Sequence, residues 1–217
     1  MDSDDRSLPL RERKRLRTRR ALADAALRLF TERGFDRTTV EHLVDEAEVS
    51  RSTFFRAFAT KEAAAVEAET ELWASYLAAL ADRRATGPIV DHLRDTLIAG
   101  AEALPPDWDA RYIATRRLAL TAPALLGEID YQRSGVEKEV VARLTTASDS
   151  DPADLRPRIL AELATTCWSV AARDWVVTEG AGGRATLIAR IREAFDAVPA
   201  ALHLTAYEHP GDTPETM

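Results

Sequence analysis

Helical periodicity runs through nearly the whole of this 217-residue chain and limits its fold more than any other feature. Between Arg20 and Gly34 the apolar residues fall at i, i+3, i+4, i+7 and i+8, which is one face of an amphipathic helix. Similar spacing returns after Gly87-Pro88 and continues to Val198, without the alternation typical of a strand. The pattern predicts an all-α fold whose last two helices have about 27 and 17 residues.

Two N-cap signals mark the starts of short helices after the first one. Thr38-Thr39-Val40-Glu41 has the spacing of a capping box, in which a threonine hydroxyl accepts a backbone amide and the glutamate reaches back. Ser50 is a good N-cap for a third helix. Val49 and Phe54 occupy the positions of a hydrophobic staple around that cap. Helices 2 and 3 are therefore predicted to begin at these two signals.

Helix 3 is predicted to turn a polar, basic and small face outwards. If Phe54 and Phe58 face the core, the side chains left towards solvent or a ligand are Arg51, Ser52, Thr53, Phe55 and Arg56. Thr60 would then cap one long fourth helix that reaches Leu80. Three helices, of which the second and third are short and joined by a tight turn, are typical of a helix-turn-helix. A small three-helix core is the alternative on pattern alone.

The net charge of −7 argues against a nucleic-acid partner, but its distribution does not. Residues 1–61 carry 14 basic and 11 acidic side chains, whereas residues 62–217 carry 15 and 25. Residues 6–20 contain eight basic side chains and one acidic side chain, Glu12. We interpret residues 1–19 as a basic N-terminal arm, with a solvated tail as the alternative to a DNA contact.

The segment ALADAALRLFTERGFDRTTVEHLVDEAEVSRSTFFRAFATKE, which ends at Glu62, resembles the DNA-binding domain of the TetR family of transcriptional regulators. The signature elements are LRLFTERGFDRTTV, then VSRSTFFRAF, then the Lys-Glu pair that opens the fourth helix. The resemblance implies an all-helical protein with an N-terminal helix-turn-helix and a larger helical ligand-binding and dimerisation domain. It also implies a homodimer that binds a palindromic operator, usually as a repressor released by a small molecule.

The resemblance implies several contacts with the phosphate backbone of operator DNA. Thr38 and Thr39 would lie at a phosphate near the N-terminus of helix 2, where free amides favour an anion, with plain capping as the alternative. Arg56 and Lys61 would bind phosphates and fix the register of the protein on DNA. The basic arm, with Arg17, could reach the backbone or the minor groove.

Helix 3 would enter the major groove with Arg51, Ser52 and Thr53. The forked donors of Arg51 suit a guanine edge, and a phosphate contact is the alternative. The complete implied set of DNA-binding residues is Arg17, Thr38, Thr39, Ser50, Arg51, Ser52, Thr53, Phe55, Arg56 and Lys61.

Three residues depart from the pattern of the family. Phe55 stands where tyrosine is usual, so a hydroxyl contact to phosphate is lost. Ala57 replaces a common aromatic residue or histidine. Glu48 occupies a turn position where glycine is usual, and a non-glycine residue in the left-handed region costs about 1 kcal/mol. These departures bear on the affinity for DNA and not on the fold.

The second half of the chain is where the resemblance implies a small-molecule effector. Its large aromatic residues would surround the family's pocket, with a core role as the alternative: Trp73, Tyr76, Trp108, Tyr112, Trp168 and Trp175. Arg116, Arg117 and Arg173 are candidates to bind an anion, with solvated or dimer-interface roles as alternatives. The predicted ligand-binding set is Trp73, Tyr76, Trp108, Tyr112, Arg116, Trp168 and Arg173.

The expected effector is an elongated apolar or aromatic molecule, with an acidic one among the alternatives. The run RYIATRRLALTAPAL is similar to regulators of acyl-CoA-like ligands.

An enzyme is the main rival class, and the sequence offers it little. The four histidines show no metal-ligand spacing, no HExxH or P-loop motif is present, and Gly180-Ala-Gly-Gly183 lacks the strand that a dinucleotide fingerprint needs. We therefore expect no catalytic residue, metal or cofactor. A second rival is a helical ligand-binding or interaction protein with weak or no DNA binding, which the three departures leave open.

The predicted organisation is a basic arm (1–19), a helix-turn-helix domain (20–61), a helical effector-binding and dimerisation domain (62–202) and a flexible tail (203–217). The single cysteine, Cys167, excludes an internal disulfide and reads as core. The first residues lack the apolar core of a signal peptide, and no apolar run reaches the roughly 18 residues of a membrane span. A cytoplasmic protein without a membrane partner is expected.

Overall fold

The computed structural model describes residues 9–148, 151 and 153–205, and these residues form ten α-helices without a strand. The helices are α1 (Leu10–Arg33), α2 (Val40–Glu46), α3 (Arg51–Ala57), α4 (Lys61–Ala65), α5 (Glu67–Asp82), α6 (Ile89–Glu102), α7 (Trp108–Ala119), α8 (Pro123–Ser148), α9 (Arg156–Val177) and α10 (Gly183–Ala201). The all-α prediction is confirmed. None of the described helices has the length and apolar content of a membrane-spanning segment.

Helix α1 begins ten residues before the position that the apolar pattern indicates. Leu10 and Leu16 are 59% and 39% exposed, so the first turns bury little apolar surface. Their sequence therefore lacks the apolar periodicity that would indicate a helix. Arginine and leucine are nevertheless good helix formers. Most of the described part of the basic arm is therefore helix, while residues 1–8 lie outside the described residues.

The single long fourth helix of the prediction is two helices. At Val66 the backbone has φ −101° and ψ 20°, which ends α4 and starts α5. Val66 is fully buried, and its carbonyl accepts the amides of Glu69 and Thr70 at 2.9 and 3.3 Å. The apolar periodicity continues across this break, so the pattern does not reveal it.

The helices enclose two apolar cores. We call α1–α4 the head and α5–α10 the body. The head core contains side chains of the first four helices and of the corner between α7 and α8: Leu22, Leu29, Phe30, Leu43, Phe54, Phe58, Val66, Leu118, Ala122, Leu125 and Ile129. The body core contains the tryptophans and most of the apolar residues of α5, α6, α9 and α10. The head therefore shares its interior with one corner of the body.

The last two helices have 22 and 19 residues and pack against each other. The apolar pattern placed their lengths at about 27 and 17. Residues 203–205 of the predicted tail are described and 203 and 204 are exposed, and the rest of the tail lies outside the described residues.

Candidate nucleic-acid interface

The start of α2 is capped by Thr39 and His42. The Thr39 hydroxyl accepts the His42 amide at 3.4 Å, and the Thr39 amide donates to Nδ1 of His42 at 3.2 Å. A capping box thus exists one residue later than predicted, with Thr39 and His42 in place of Thr38 and Glu41. Thr39 is exposed, and its assigned phosphate contact stays a prediction.

Thr38 is fully buried, and the prediction that it contacts phosphate is wrong. Its hydroxyl donates to the carbonyls of Gly34 and Leu29 at 2.9 and 3.3 Å. Its amide donates to the carbonyl of Phe35 at 3.3 Å. Every polar group that Thr38 could offer to DNA is therefore used to close the loop between α1 and α2.

The turn between α2 and α3 is a Schellman motif with glutamate in the left-handed position. Glu48 has φ 51°, its amide donates to the carbonyl of Asp45, and the amide of Val49 donates to that of Val44 at 2.9 Å. This pattern of two bonds normally has glycine at the position of Glu48. The structure confirms the strained position that the sequence predicts, and leaves the carboxylate exposed.

Helix α3 presents the predicted outward face. Ser50 caps it, with the Thr53 amide donating to its hydroxyl oxygen at 3.2 Å, and Phe54 and Phe58 are buried in the head core. The remaining side chains of the face are exposed or, for Thr53, half-buried: Arg51, Ser52, Thr53, Phe55 and Arg56. A short helix with this face is shaped to lie in the major groove.

Arg51 is held by a partner on α2. Its Nη1 donates to Oε1 of Glu41 at 2.8 Å, and its guanidinium lies 5.5 Å from the ring of Phe55. The side chain of Arg51 is still 67% exposed. The pKa of Glu41 is lowered, first by its own backbone amide, then by the Thr39 hydroxyl and the charge of Arg51. Glu41 therefore stays ionised as a support for Arg51.

Lys61 is turned towards the protein. Its Nζ donates to the carbonyls of Phe35 and Thr38, both at 2.9 Å, and lies 4.1 Å from the centre of the Phe35 ring. Two of its three N–H donors therefore hold the loop between α1 and α2 against the start of α4. The assigned phosphate contact stays a prediction that rests on the third donor.

The basic residues of α1 divide into two groups. Arg17 is exposed on the helix surface, as are Arg11 and Lys14. Arg19 and Arg20 point to acidic residues of the body, Arg19 to Glu67 and Arg20 to Glu71 and Asp107. Charge counting along the chain could not separate these groups, because their partners are distant in sequence.

Comparison with known proteins places these features in a family. The family model for bacterial regulatory proteins of the tetR family matches residues 22–68. The HTH-type transcriptional regulator TcmR of Streptomyces glaucescens is 33% identical over 180 residues, which are 76% of each chain. The chain belongs to the TetR family. It is a transcriptional regulator with a DNA-binding helix-turn-helix.

Solved structures also resemble this TetR-family regulator. Salmonella enterica GusR is 19% identical with a TM-score of 0.47, and the match covers 83% of this chain and 96% of GusR. A putative TetR-family transcriptional regulator from Mesorhizobium loti is 16% identical with a TM-score of 0.47. That match covers 86% of this chain and 97% of the Mesorhizobium loti protein.

Five of the predicted effector residues of this TetR-family chain form one packed aromatic cluster in the body core: Trp73, Tyr76, Trp108, Tyr112 and Trp168. Each side chain is at most 5% exposed. The rings contact one another, with the centroids of Trp108 and Tyr112 4.6 Å apart. The alternative core role fits this packing. Nε1 of Trp73 and the hydroxyl of Tyr76 are nevertheless buried without a hydrogen-bond partner among the described residues.

The two predicted effector arginines differ in their surroundings. Arg116 donates to Oε1 of Glu69 at 3.0 Å, beside a crevice of about 70 Å³. Burial raises the pKa of Glu69, which is 2% exposed, and Arg116 opposes that shift. Arg173 is exposed on the outer side of α9 and does not face the aromatic cluster. The assigned effector role of Arg173 stays a prediction.

The sequence did not indicate a wider cavity of about 890 Å³ at the end of the body away from the head. Its lining is apolar at Leu80, Ile89 and Leu160 and carries charged side chains: Arg83, Arg84, Arg143, Asp154 and Arg156. None of the predicted ligand-binding residues lines it. Its size lies in the range of small-molecule sites.

Proposed function

We propose that the chain is a homodimeric repressor that acts in the cytoplasm, binds a palindromic operator through α3 and is released by a small molecule. The observation that supports DNA binding is the outward face of α3. Phe54 and Phe58, on the opposite face of the helix, are buried and anchor it in the head core. Arg51 and Arg56 are exposed on the outward face. The forked donors of Arg51 suit the edge of a guanine base, and the bond to Glu41 restricts the orientations of the Arg51 side chain.

Binding to operator DNA is tested with fragments selected from genomic DNA by the wild-type protein. We expect Arg51→Ala to weaken binding and to relax specificity at one base pair, by about 1 to 3 kcal/mol. Arg56→Ala should weaken binding to all sequences and make the salt dependence shallower by about one unit. Arg117→Ala is the matched control, because Arg117 is exposed on α7 in the body and its partner is Glu179. Unchanged titrations for both α3 variants would contradict the proposal.

A failure to select any DNA would favour the second candidate function. That candidate is a helical ligand-binding or interaction protein with weak or no DNA binding, and the carboxylate of Glu48 on the turn before α3 supports it. The same selection with Glu48→Ala decides whether that carboxylate is the cause.

Dimerisation is supported by a stripe on α9 that the protomer leaves largely uncovered, with Leu163 half-buried against the body core. Its residues are separated alternately by four and three positions, as in a coiled-coil seam: Ile159, Leu163, Thr166, Val170, Arg173 and Val177. Ile159, Val170 and Val177 are 60%, 53% and 76% exposed. On the neighbouring α10, Ala185 and Ala189 are exposed and small enough for close approach. A second copy of the chain, related by a twofold axis, would cover both helices and place two α3 helices on successive major grooves.

Light scattering tests the dimer. We expect the wild type to have the mass of two chains and Val170→Glu to have the mass of one, because a carboxylate would be buried at the seam. Tyr131→Glu is the control, since Tyr131 is 76% exposed on α8, outside the stripe. A monomeric wild type, or a Val170→Glu variant that is still dimeric, would contradict this interface.

The effector is proposed to have an apolar body and an acidic group. The cavity of about 890 Å³ supports this, because apolar Leu80, Ile89 and Leu160 are joined there by Arg83 and Arg84. A thermal-shift series with medium-chain and aromatic carboxylates, each paired with its neutral amide, is the test. We expect the acids to raise Tm more than the amides, and Arg84→Ala to remove that difference. Stabilisation by small hydrophilic compounds alone would overturn this part of the proposal.

A further inference from the structure

The guanidinium of Arg19 binds three elements at the junction of head and body. Its Nε and Nη2 donate to the two carboxylate oxygens of Glu67, and its Nη1 donates to the carbonyl of Ala57. Its carbon Cζ lies 4.2 Å from the centre of the Phe58 ring. We call these four residues the Arg19 clamp.

The clamp joins the end of the recognition helix to the start of the body. Ala57 is the last residue of α3, so its carbonyl has no partner within the helix. Glu67 is the first residue of α5, directly after the break at Val66, and α5 packs on α6 in the body core. One side chain, Arg19, therefore connects the first turn of α5 to the C-terminal end of α3.

The clamp is shielded and uses every nitrogen of the guanidinium. The side chains of Arg19 and Glu67 are 27% and 8% exposed. Each of the three nitrogens of Arg19 donates to Glu67 or Ala57, so three of its five N–H donors are directed into the protein although Arg19 belongs to the basic run. An arginine at a helix C-terminus also has a favourable interaction with the helix dipole.

We propose that Arg19 is a positioning residue that fastens the recognition helix to α5, so that the orientation α3 presents to DNA follows the position of the body. Its effect on DNA affinity rests on the DNA-binding function above. Its effect on the mobility of α3 does not, since that is a property of the free protein.

The first test compares DNA binding by Arg19→Met and Arg56→Ala, on fragments selected by the wild type. Methionine keeps most of the length of Arg19 but removes all donors. We expect Arg19→Met to lower the affinity about tenfold with the salt dependence unchanged, because a charged hydrogen bond that orders α3 is lost without loss of a phosphate contact. Arg56→Ala should instead make the salt dependence shallower. A shallower salt dependence for Arg19→Met would show that Arg19 contacts DNA directly and would overturn the proposal.

The second test measures amide hydrogen exchange of the free proteins. We expect residues 51–58 to exchange faster in Arg19→Met, while the amides of α2 exchange as in the wild type, because only α3 is released from α5. Arg15→Met is the control on α1 and should change neither segment. Uniformly faster exchange through the whole head would indicate general destabilisation, and unchanged exchange in α3 would show that no clamp exists. Either result overturns the proposal.

Two further variants keep the test decisive. If Arg19→Met does not fold, Arg19→Lys takes its place, since lysine retains the charge but cannot bond Glu67 and Ala57 together in a planar fork. Glu67→Gln should also make the amides of α3 exchange faster, but by less than Arg19→Met does. The reason is that the contacts of Arg19 with Ala57 and Phe58 remain. If the wild type selects no DNA, the DNA-binding function fails while the exchange experiment still decides the clamp.

Discussion

Replacing Glu48 by glycine should stabilise the protein, and the structure gives the size of the effect. Glu48 has φ 51° in the Schellman turn that ends α2. A side chain in this region costs about 1 to 2 kcal/mol, and glycine avoids that cost. Glycine also gives the unfolded chain more freedom, which offsets roughly 0.5 to 1 kcal/mol. The net gain is about 0.5 to 1 kcal/mol, or an increase in Tm of about 1 to 4 °C for a chain of this length.

The assay is a thermal melt of Glu48→Gly beside two matched variants. Glu48→Ala removes the same carboxylate but keeps the strained Cβ, so its Tm should not rise. Glu179→Gly relieves the same strain elsewhere, because Glu179 has φ 52° and an equivalent pair of turn bonds after α9. Its gain should be slightly smaller, since it also loses an exposed ion pair with Arg117 at 2.9 Å.

DNA binding separates the charge of Glu48 from its backbone conformation. Glu48→Gly and Glu48→Ala should bind selected DNA fragments more tightly to the same extent, because both remove a negative charge from the turn before α3. Glu179→Gly should bind as the wild type does. If Glu48→Ala melted as high as Glu48→Gly, the assignment of backbone strain to this turn would be refuted.

Three other substitutions probe the interior. Thr38→Val should lower the free energy of unfolding by about 1 to 3 kcal/mol, as measured by urea denaturation, because it removes a buried hydroxyl that bonds the carbonyl of Gly34 at 2.9 Å and lies 3.3 Å from that of Leu29. Gly100→Ala should cost about 1 to 3 kcal/mol in the same assay, because its Cβ would lie 2.8 Å from the backbone of Tyr76 and force α5 and α6 apart. Glu69→Gln should change the pH dependence of stability. Burial raises the pKa of Glu69 in the folded protein, so the folded state binds the proton more tightly than the unfolded state. The wild type should therefore lose stability relative to Glu69→Gln as the pH rises from about 4.5 through that raised value, measured by urea denaturation across pH 4 to 8.

Each of these substitutions has a control and a contradicting result. Thr39→Val changes an exposed cap and should cost less than Thr38→Val, and equal losses would contradict the burial argument. Gly127→Ala places a Cβ in open space on α8 and should be neutral or stabilising, whereas a stable Gly100→Ala would show that α5 and α6 can separate freely. Glu102→Gln removes an exposed carboxylate from α6. If its pH profile matched that of Glu69→Gln, burial would not be the cause.

Local chemistry explains which parts of this structure the sequence could predict. The cap of α3 at Ser50, the buried pair Phe54 and Phe58 and the outward face between them all depend on residues within one or two turns. Spacing and residue type determine such features with little help from the rest of the chain. The left-handed position of Glu48 was also predictable, because the resemblance placed glycine there.

Features that depend on distant partners could not be read from the pattern. Arg19 and Glu67 are 48 residues apart, and only the packing of α1 against the junction of α4 and α5 brings them together. The burial of Thr38 depends in the same way on the fold of the head around the loop before α2. The aromatic residues were placed on the correct helices, but composition cannot tell a ring that lines a cavity from one that fills the core.

The shared interior of head and body bears on how regulators of this family are recombined. A chimera joined directly after α4 would place the head of one protein against Val66, Leu118 and Leu125 of another, inside a single close-packed core. Mismatched volumes there would loosen the head before any DNA or effector contact was tested. Transferring the corner between α7 and α8 together with α1–α4 keeps both halves of that packing from one parent, and makes a change in operator preference attributable to α3 itself.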